Sequence, residues 1–183
     1  YLGQPLGPMV RLLAPTGAEM LQNGSFTNGT TSWPAYPFGV TGTAGVDSVT
    51  FHSGPGALRV DVTAVTPGGE FKVWQDPLPL VHHQAYTLSF WARASSTTQL
   101  VAHLYSDSCP SYRCWNDRRF WVTPEWQRYE VSFAANATAS AGLNLFVRQP
   151  VTVWLDDMSL RPGDTGLFRR DFEHGAVLLN YTN

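Results

Sequence analysis

The residues able to do chemistry in this chain of 183 residues are few, and their spacing does not form a catalytic set. Cleavage of a glycosidic bond needs two carboxylates on either side of that bond. On the strand face described below only Glu130 is available, without an obvious partner. No G-x-S-x-G or H-E-x-x-H motif occurs, and the adjacent residues His82 and His83 would point to opposite sides of a strand. The sequence therefore predicts a protein that is not an enzyme.

A second set of side chains, aromatic and cationic, occupies alternate positions of strand-like runs whose other positions are apolar. An antiparallel sheet that faces water usually carries Thr, Ser, Lys and Glu at such positions. Aromatic rings stack on the C–H faces of sugars, and Arg and His donate hydrogen bonds to hydroxyl groups. The pattern predicts a sugar-binding face. The alternative is that these residues pack under a loop or against the flanking segments. They are Trp91, His103, Tyr105, Phe146 and Arg148.

The segment 106–126 joins two of these runs and adds more aromatic residues, so it is expected to be a loop beside the same face. Tyr112 and Trp115 are its candidate sugar contacts, whereas Trp121 and Trp126 are expected to pack inward. Trp74, a further candidate sugar contact, alternates with Val73 and Gln75 and can face either side of its strand. Trp33 lies in an early loop and is a candidate for the border of the same cleft.

Two cysteines, Cys109 and Cys114, lie in this segment with four residues between them. A zinc site usually needs three or four ligands, and His103 is the only imidazole nearby. The spacing favours a short disulfide that fixes the loop. Two free thiols and a metal site are the alternatives. A disulfide would indicate an oxidising compartment.

Strand signals recur along the whole chain, and helix signals are nearly absent. Clusters of Gly, Pro, Asn and Ser separate short runs of alternating apolar residues. Many short strands with turn signals between them predict an all-β protein with an antiparallel β-sandwich. The runs are 57–62, 70–75, 86–93, 99–106, 127–133, 143–148 and 151–160.

The two ends of the chain fall outside this regular array. Segments 1–20 and 163–183 contain the strand-like runs Met9–Leu13 and Ala176–Asn180. We expect the ends to pair with each other and to belong to a neighbouring β-domain, which leaves 21–162 as the sandwich. The alternative is two extra strands of that sandwich.

The charge balance argues against a nucleic acid as partner, and the length of the apolar runs argues against a span of the membrane. Lys and Arg number 12 against 14 Asp and Glu, which leaves no basic excess to neutralise the phosphates of a nucleic acid. No apolar run approaches the ~20 residues needed to span a bilayer.

Four motifs resemble, in the same order, those of carbohydrate-binding modules of the family 4, 9, 16 and 22 type. They are LQNGSFTNGTTSW at 21–33, HSGPGALRV at 52–60, YTLSFWARAS at 86–95 and VWLDDMSL at 153–160. The resemblance implies a jelly-roll sandwich that binds polysaccharide as an appendage of a secreted or cell-surface glycoside hydrolase. An extended face with two or three rings favours one soluble β-glucan or xylan chain over crystalline cellulose.

The same resemblance implies a structural calcium ion that joins the first and last motifs. Its usual ligands are the Glu that follows the Phe of the first motif, an Asp in the closing strand, and backbone carbonyls. Thr27 stands at the Glu position, Asp156 matches the Asp, and carbonyls near Gly24 and Ser53 are the remaining candidates. Calcium takes six to eight oxygens, so a lost carboxylate weakens the site. Alternatively, Asp156 and Asp157 form a solvated strand end or accept bonds from backbone amides.

The flanks also resemble the closing segment of the accessory β-domain of certain glycoside hydrolases, through YLGQPLGP and RRDFEHGAVLLN; His174 stands where that pattern has Asn. Two other functions remain open. One is a spacer domain without glycan binding. The other is a jelly-roll polysaccharide lyase, for which a base and its neutralising partners would come from His103, Tyr105, Asn144 and Arg148.

Overall fold

Strands make up most of the chain, as the alternating pattern predicts. The computed structural model describes residues 1–12, 15–163 and 167–180. Its strands are β1 (Val10–Arg11), β2 (Ala35–Asp47), β3 (Ala57–Leu80), β4 (Ala85–Ala94), β5 (Thr98–Tyr105), β6 (Arg113–Val122), β7 (Gln127–Ala134), β8 (Ala139–Val147), β9 (Val151–Pro162), β10 (Leu167–Phe172) and β11 (Gly175–Asn180). A single 3-10 turn, Pro110–Tyr112, precedes β6. The all-β prediction is confirmed.

The 24-residue strand β3 belongs to both layers of the sandwich. Its first part, Leu58–Val62, pairs with β9, and its second part, Phe71–Leu80, pairs with β8. We call the layer in the order β2–β3–β8–β5–β6 the front sheet and the layer β2–β3–β9–β4–β7 the back sheet. All pairings are antiparallel, and β2 follows β3 along both layers.

The change of layer occurs at the segment Thr66-Pro67-Gly68-Gly69. Gly68 has a φ of +78°, a conformation that glycine adopts without steric cost. A Cβ on Gly69 would lie 2.3 Å from the carbonyl oxygen of Gly39 on β2, so the two chains can approach only because no side chain is present. The Pro and Gly residues of this segment, which the sequence pattern indicates as a turn between two strands, therefore form a bend within the single strand β3.

The core lies between the layers and is built from alternate strand positions. Leu100, Ala102 and Leu104 on β5 are fully buried, and Leu143 and Leu145 on β8 face them across the ladder. This is the apolar side that the alternation predicts. Burial of such side chains is the main source of stability in a sandwich of this size.

Trp33, expected at the border of a binding face, is instead part of the core. It is 2% exposed and lies 5.7 Å, ring to ring, from Phe26. Its indole N–H donates to the carbonyl oxygens of Gln22 and Asn23 at 3.1 Å. Because a buried indole needs such acceptors, Trp33 fixes the first motif against the core and is not available to a ligand.

The ends of the chain form a separate three-stranded sheet in the order β1–β10–β11. Val10 pairs with Arg169, and backbone bonds from Leu6 and Glu173 extend the pairing. The run expected at Met9–Leu13 is reduced to β1, and Leu13 lies outside the described residues. Membership of these flanks in a neighbouring domain remains a prediction.

Glu19 connects the N-terminal segment to β9. Its carboxylate accepts the backbone N–H of Leu160 at 2.8 Å and that of Leu21 at 3.0 Å. It also accepts the hydroxyl of Ser159 and the guanidinium of Arg161. Burial alone would raise the pKa of Glu19, but these bonds outweigh it and hold the pKa below its usual value.

In the three described stretches, we find no helix with the length and apolar character that crossing a membrane requires.

Candidate binding face on the front sheet

One row of side chains crosses the outer side of the front sheet. Residues directly opposite each other in antiparallel strands point to the same side. Tyr36 on β2 faces Lys72 on β3, Lys72 faces Phe146 on β8, and Phe146 faces Val101 on β5. Val101 faces Arg119 on β6. Phe146 and Val101 are buried but lie outside the core cluster, so they form the floor of this outer surface.

Neighbouring rows complete this surface, which we call the front face. Trp74 lies opposite Asn144, and Asn144 lies opposite His103. Phe38 lies opposite Glu70 at one end of the surface. The front face consists of Tyr36, Phe38, Glu70, Lys72, Trp74, Gln99, Val101, His103, Tyr105, Arg119, Trp121, Asn144, Phe146 and Arg148.

Several aromatic rings on and beside this face are open to solvent. Tyr36, Phe38, Tyr105, Tyr112 and Trp121 are between 43% and 62% exposed. The rings of Tyr105 and Tyr112 are nearly parallel, with an angle of 14° and centroids 6.1 Å apart. Large aromatic groups that remain exposed in a cluster are typical of a recognition surface.

An open cleft lies between Trp74 on β3 and Tyr105 on β5, with Asn144 among its lining residues. The ammonium of Lys72 lies 4.1 Å from the centroid of the Trp74 ring, a cation–π contact. The hydroxyl of Tyr105 donates to Asp107 at 2.6 Å. This bond raises the pKa of Tyr105, so its hydroxyl stays protonated near neutral pH. A phenol held in that form is a hydrogen-bond donor and a poor general base.

Charged partners hold the polar side chains of the face in place. The guanidinium of Arg148 contacts Glu70 at 2.9 Å. His103 Nδ1 lies 3.1 Å from Asp117, which also contacts Arg113 at 3.3 Å. Burial lowers the pKa of His103, and Asp117 opposes this shift only in part, so the imidazole is neutral at pH 7. A fixed, neutral imidazole suits hydrogen bonding to a sugar hydroxyl.

The structure separates Trp91 from the other four residues of the predicted face. Trp91 lies on β4 of the back sheet, where its ring stacks on that of His52 at 3.7 Å. His52 Nδ1 in turn lies 2.9 Å from Asp157. The prediction that Trp91 shares one face with His103 is wrong, because alternation shows which side of its own sheet a residue occupies and not which sheet that is.

Two of the three tryptophans of segment 106–126, Trp115 and Trp121, differ from their expected positions. Trp115 stacks on Phe133 at 4.4 Å and packs against the core, whereas Trp121 is 62% exposed on the front face. Strand β6 takes up 10 residues of the segment, and Trp121 lies between Phe120 and Val122, which pack inward. Trp126 contacts the edge of His52 on the back sheet.

A disulfide joins Cys109 and Cys114. It closes the loop that holds the 3-10 turn Pro110–Tyr112, and the backbone N–H of Tyr112 donates to the carbonyl of Cys109 at 2.9 Å. The loop thereby keeps Tyr112 beside Tyr105 at one end of the front face.

Two of the residues predicted to bind calcium, Asp156 and Ser53, form side-chain hydrogen bonds within the protein. The carboxylate of Asp156 is fully buried and accepts three backbone N–H groups, from His52, Ser53 and Asp157. The hydroxyl of Ser53 donates to Asp157 at 2.6 Å. Within the described ranges, no three His, Cys, Asp or Glu side chains lie close enough to hold a metal ion.

The other two predicted calcium ligands, Gly24 and Thr27, contribute no carboxylate. The carbonyl of Gly24 accepts the N–H of Met158 at 2.9 Å, and Thr27 is an exposed residue without a carboxylate. Calcium therefore remains a prediction from the resemblance alone, and the geometry favours the alternative in which Asp156 binds backbone amides.

Sequence reasoning did not find several members of the front face: Tyr36, Phe38, Lys72, Arg119 and Trp121. Tyr36 and Phe38 alternate with Ala35 and Pro37, a period-2 signal that was present in the sequence. It was obscured because Pro37 and the nearby glycine are typical of a loop.

Comparison with known proteins agrees with this arrangement. A family model described as a carbohydrate binding domain, CBM_4_9, matches residues 18–152. The chain belongs to this family. The jelly-roll sandwich expected from the four motifs is thereby confirmed. Among curated proteins, none matches the sequence.

Solved structures share the fold at low sequence identity. A structure described as CBM4 superposes with a TM-score of 0.59 at 24% identity, over 76% of this chain and 100% of its own. The N-terminal cellulose-binding domain of β-1,4-glucanase C from Cellulomonas fimi gives 0.55 at 23% identity, over 76% of this chain and 97% of its own. The CBM22-1 xylan-binding domain of Xyn10C from Paenibacillus barcinonensis gives 0.56 at 15% identity, over 82% and 97%.

Proposed function

We propose that the front face binds a single polysaccharide chain, such as a β-glucan or a xylan, without cleaving it. The observation that supports this most strongly is the combination of open rings and fixed polar groups on one sheet. Trp74 and Tyr105 border a cleft that Asn144 also lines, and His103 lies opposite Asn144 on the neighbouring strand. Rings supply stacking surfaces, and the polar side chains supply bonds to hydroxyl groups.

Affinity electrophoresis against soluble glucans, xylans, mannans and uronans tests this proposal. We expect one polymer to retard the native chain, and Trp74→Ala or Tyr105→Ala to weaken that binding by about tenfold, which corresponds to ~1.4 kcal/mol. Trp91→Ala is the matched control, because it removes an aromatic ring of the back sheet. Retardation that is lost in Trp91→Ala and kept in Trp74→Ala would contradict the proposal.

A spacer domain gives a different outcome in the same experiment. If no polymer of the panel retards the chain, the front face does not bind glycan, and its rings would be expected to contact a neighbouring domain. Circular dichroism of each variant distinguishes lost binding from lost folding.

We also propose that the module directs an attached glycoside hydrolase to its substrate outside the cell. Membership of the family supports the attachment, and the flanking sheet carries exposed apolar residues suited to contact with another domain: Leu6, Val10 and Leu178. Fusion of the chain to a hydrolase should speed cleavage of an insoluble polysaccharide, and a Trp74→Ala fusion should not. Equal rates for the two fusions would contradict this role.

A further inference from the structure

Two cations of the front face, Lys72 and Arg119, form no ion pair with another described residue. Arg148 pairs with Glu70, and Arg113 pairs with Asp117. Within the part of the chain that the structure describes, neither Lys72 nor Arg119 has a carboxylate partner within 4 Å. Lys72 is the only lysine of the chain. The whole chain has a net charge of −2, and the carboxylates Asp76 and Asp107 line the cleft beside Lys72, so the available positive charge is confined to the positions of Lys72 and Arg119.

Each of these cations lies two positions before a tryptophan of the same strand. Lys72 precedes Trp74 on β3, and Arg119 precedes Trp121 on β6. Residues two apart in a strand point to the same side, so each strand presents a flat ring and a cation together. The ammonium of Lys72 already lies 4.1 Å from the Trp74 ring, and Arg119 and Trp121 are both exposed.

The two units lie at opposite sides of one apolar floor. The row Lys72, Phe146, Val101, Arg119 crosses four strands, so the backbone positions of the two cations are three strand spacings apart, about 14 Å. Phe146 and Val101 are buried beneath the surface between them. A linear ligand lying across the strands would therefore meet a ring and a cation at each end.

We propose that the front face is selective for a polysaccharide that bears uronic acid carboxylates. This inference rests on the proposed function and specifies its ligand. A sugar with a carboxylate presents a C–H face to the tryptophan and an anion to the adjacent cation. Charge-assisted hydrogen bonds are about twice as strong as neutral ones, whereas a neutral sugar would leave both cations without a counter-charge.

The experiment compares one polymer in two chemical forms. A xylan with uronic acid branches is measured by isothermal titration calorimetry beside the same xylan after its carboxylates are reduced to primary alcohols. We expect the native chain to bind the acidic form at least tenfold more tightly at low salt. At 0.5 M salt this ratio should fall, because exposed charges are screened.

Variants assign the effect to the two cations. In the double variant Lys72→Gln, Arg119→Gln the ratio of the two affinities should fall to about one, because neither side chain can then pair with a carboxylate. Arg59→Gln is the matched control, because Arg59 is an exposed cation beside a tryptophan of the back sheet.

Three outcomes would overturn the inference. Equal binding of the two forms by the native chain would reject selectivity for uronates while leaving the proposed function intact. A preference that survives in the double variant would show that other residues cause it. Absence of binding to either form and to every polymer of the panel would reject the proposed function as well.

Discussion

Replacement of Asp156 by alanine should destabilise the protein through its backbone amides. The carboxylate accepts the N–H groups of His52 at 3.0 Å, Ser53 at 2.9 Å and Asp157 at 2.8 Å. These bonds attach the turn at 52–53 to β9 and support the stack of His52 on Trp91. In Asp156→Ala all three donors lose their acceptor.

The size of the effect follows from the number of donors and their access to water. A buried donor without a partner costs about 1–3 kcal/mol. His52 and Ser53 are half-buried, so water can reach their amides in part. Burial of the Asp156 carboxylate also raises its pKa, and this cost of burial offsets part of the stabilisation that the three hydrogen bonds provide. We take the low end for each donor, which gives about 3 kcal/mol. For a chain of this length that corresponds to a decrease of roughly 6–12 °C in Tm.

Thermal unfolding followed by circular dichroism, with and without a chelator, measures this effect. Asp157→Asn is the control, because Asn tolerates the φ of +49° at this position and removes the charge of a partly exposed carboxylate that accepts bonds from the side chains of His52 and Ser53; it should cost less than about 1 kcal/mol. The reasoning would be refuted if Asp156→Ala unfolded within 1–2 °C of the native chain. It would also be refuted if a chelator lowered the native Tm as much as the substitution does, since the carboxylate would then act as a metal ligand.

Three further perturbations have defined outcomes. The pKa of His103 is lowered in the folded state, so the native chain should lose stability as the pH falls below about 6.5, the ordinary value for an unfolded chain, and His103→Gln should lose this dependence in pH-resolved denaturant titrations. Glu19→Gln should lower the Tm at pH 7, and the difference from the native chain should shrink as the pH falls below about 4.5, because the folded-state pKa of Glu19 is depressed. Replacement of Cys109 and Cys114 by serine should lower stability by about 2 kcal/mol and weaken glycan binding by release of Tyr112, whereas unchanged binding would show that the loop plays no part in recognition.

The alternation of apolar residues was sufficient to predict the core side of most strands. Leu100, Ala102 and Leu104 are buried as their spacing indicates, and Leu143 and Leu145 face them. This works because the side-chain period of a strand is two, whatever the topology.

The membership of the binding face could not be predicted in the same way. It depends on which strands are neighbours in each sheet. Strand β3 passes from the back sheet to the front sheet along its length, which the sequence alone does not show. Trp74 and Trp91 have similar local patterns but lie on different sheets for this reason. Trp121 was misplaced because the sequence interpretation treats segment 106–126 as a loop, in which alternation assigns no side. In the structure Phe120 and Val122 on β6 pack inward, and Trp121 between them faces outward.

The most direct test of the account is to map the bound glycan onto the two sheets. We would titrate the isotope-labelled chain with a soluble oligosaccharide of the polymer that retards it, and follow the backbone amide signals by NMR. The account predicts shifts concentrated in β3, β8, β5 and β6 around Trp74, Asn144 and His103, with the signals of β4 and β7 unchanged. Shifts concentrated around Trp91 and His52 would place the ligand on the back sheet and contradict the central claim.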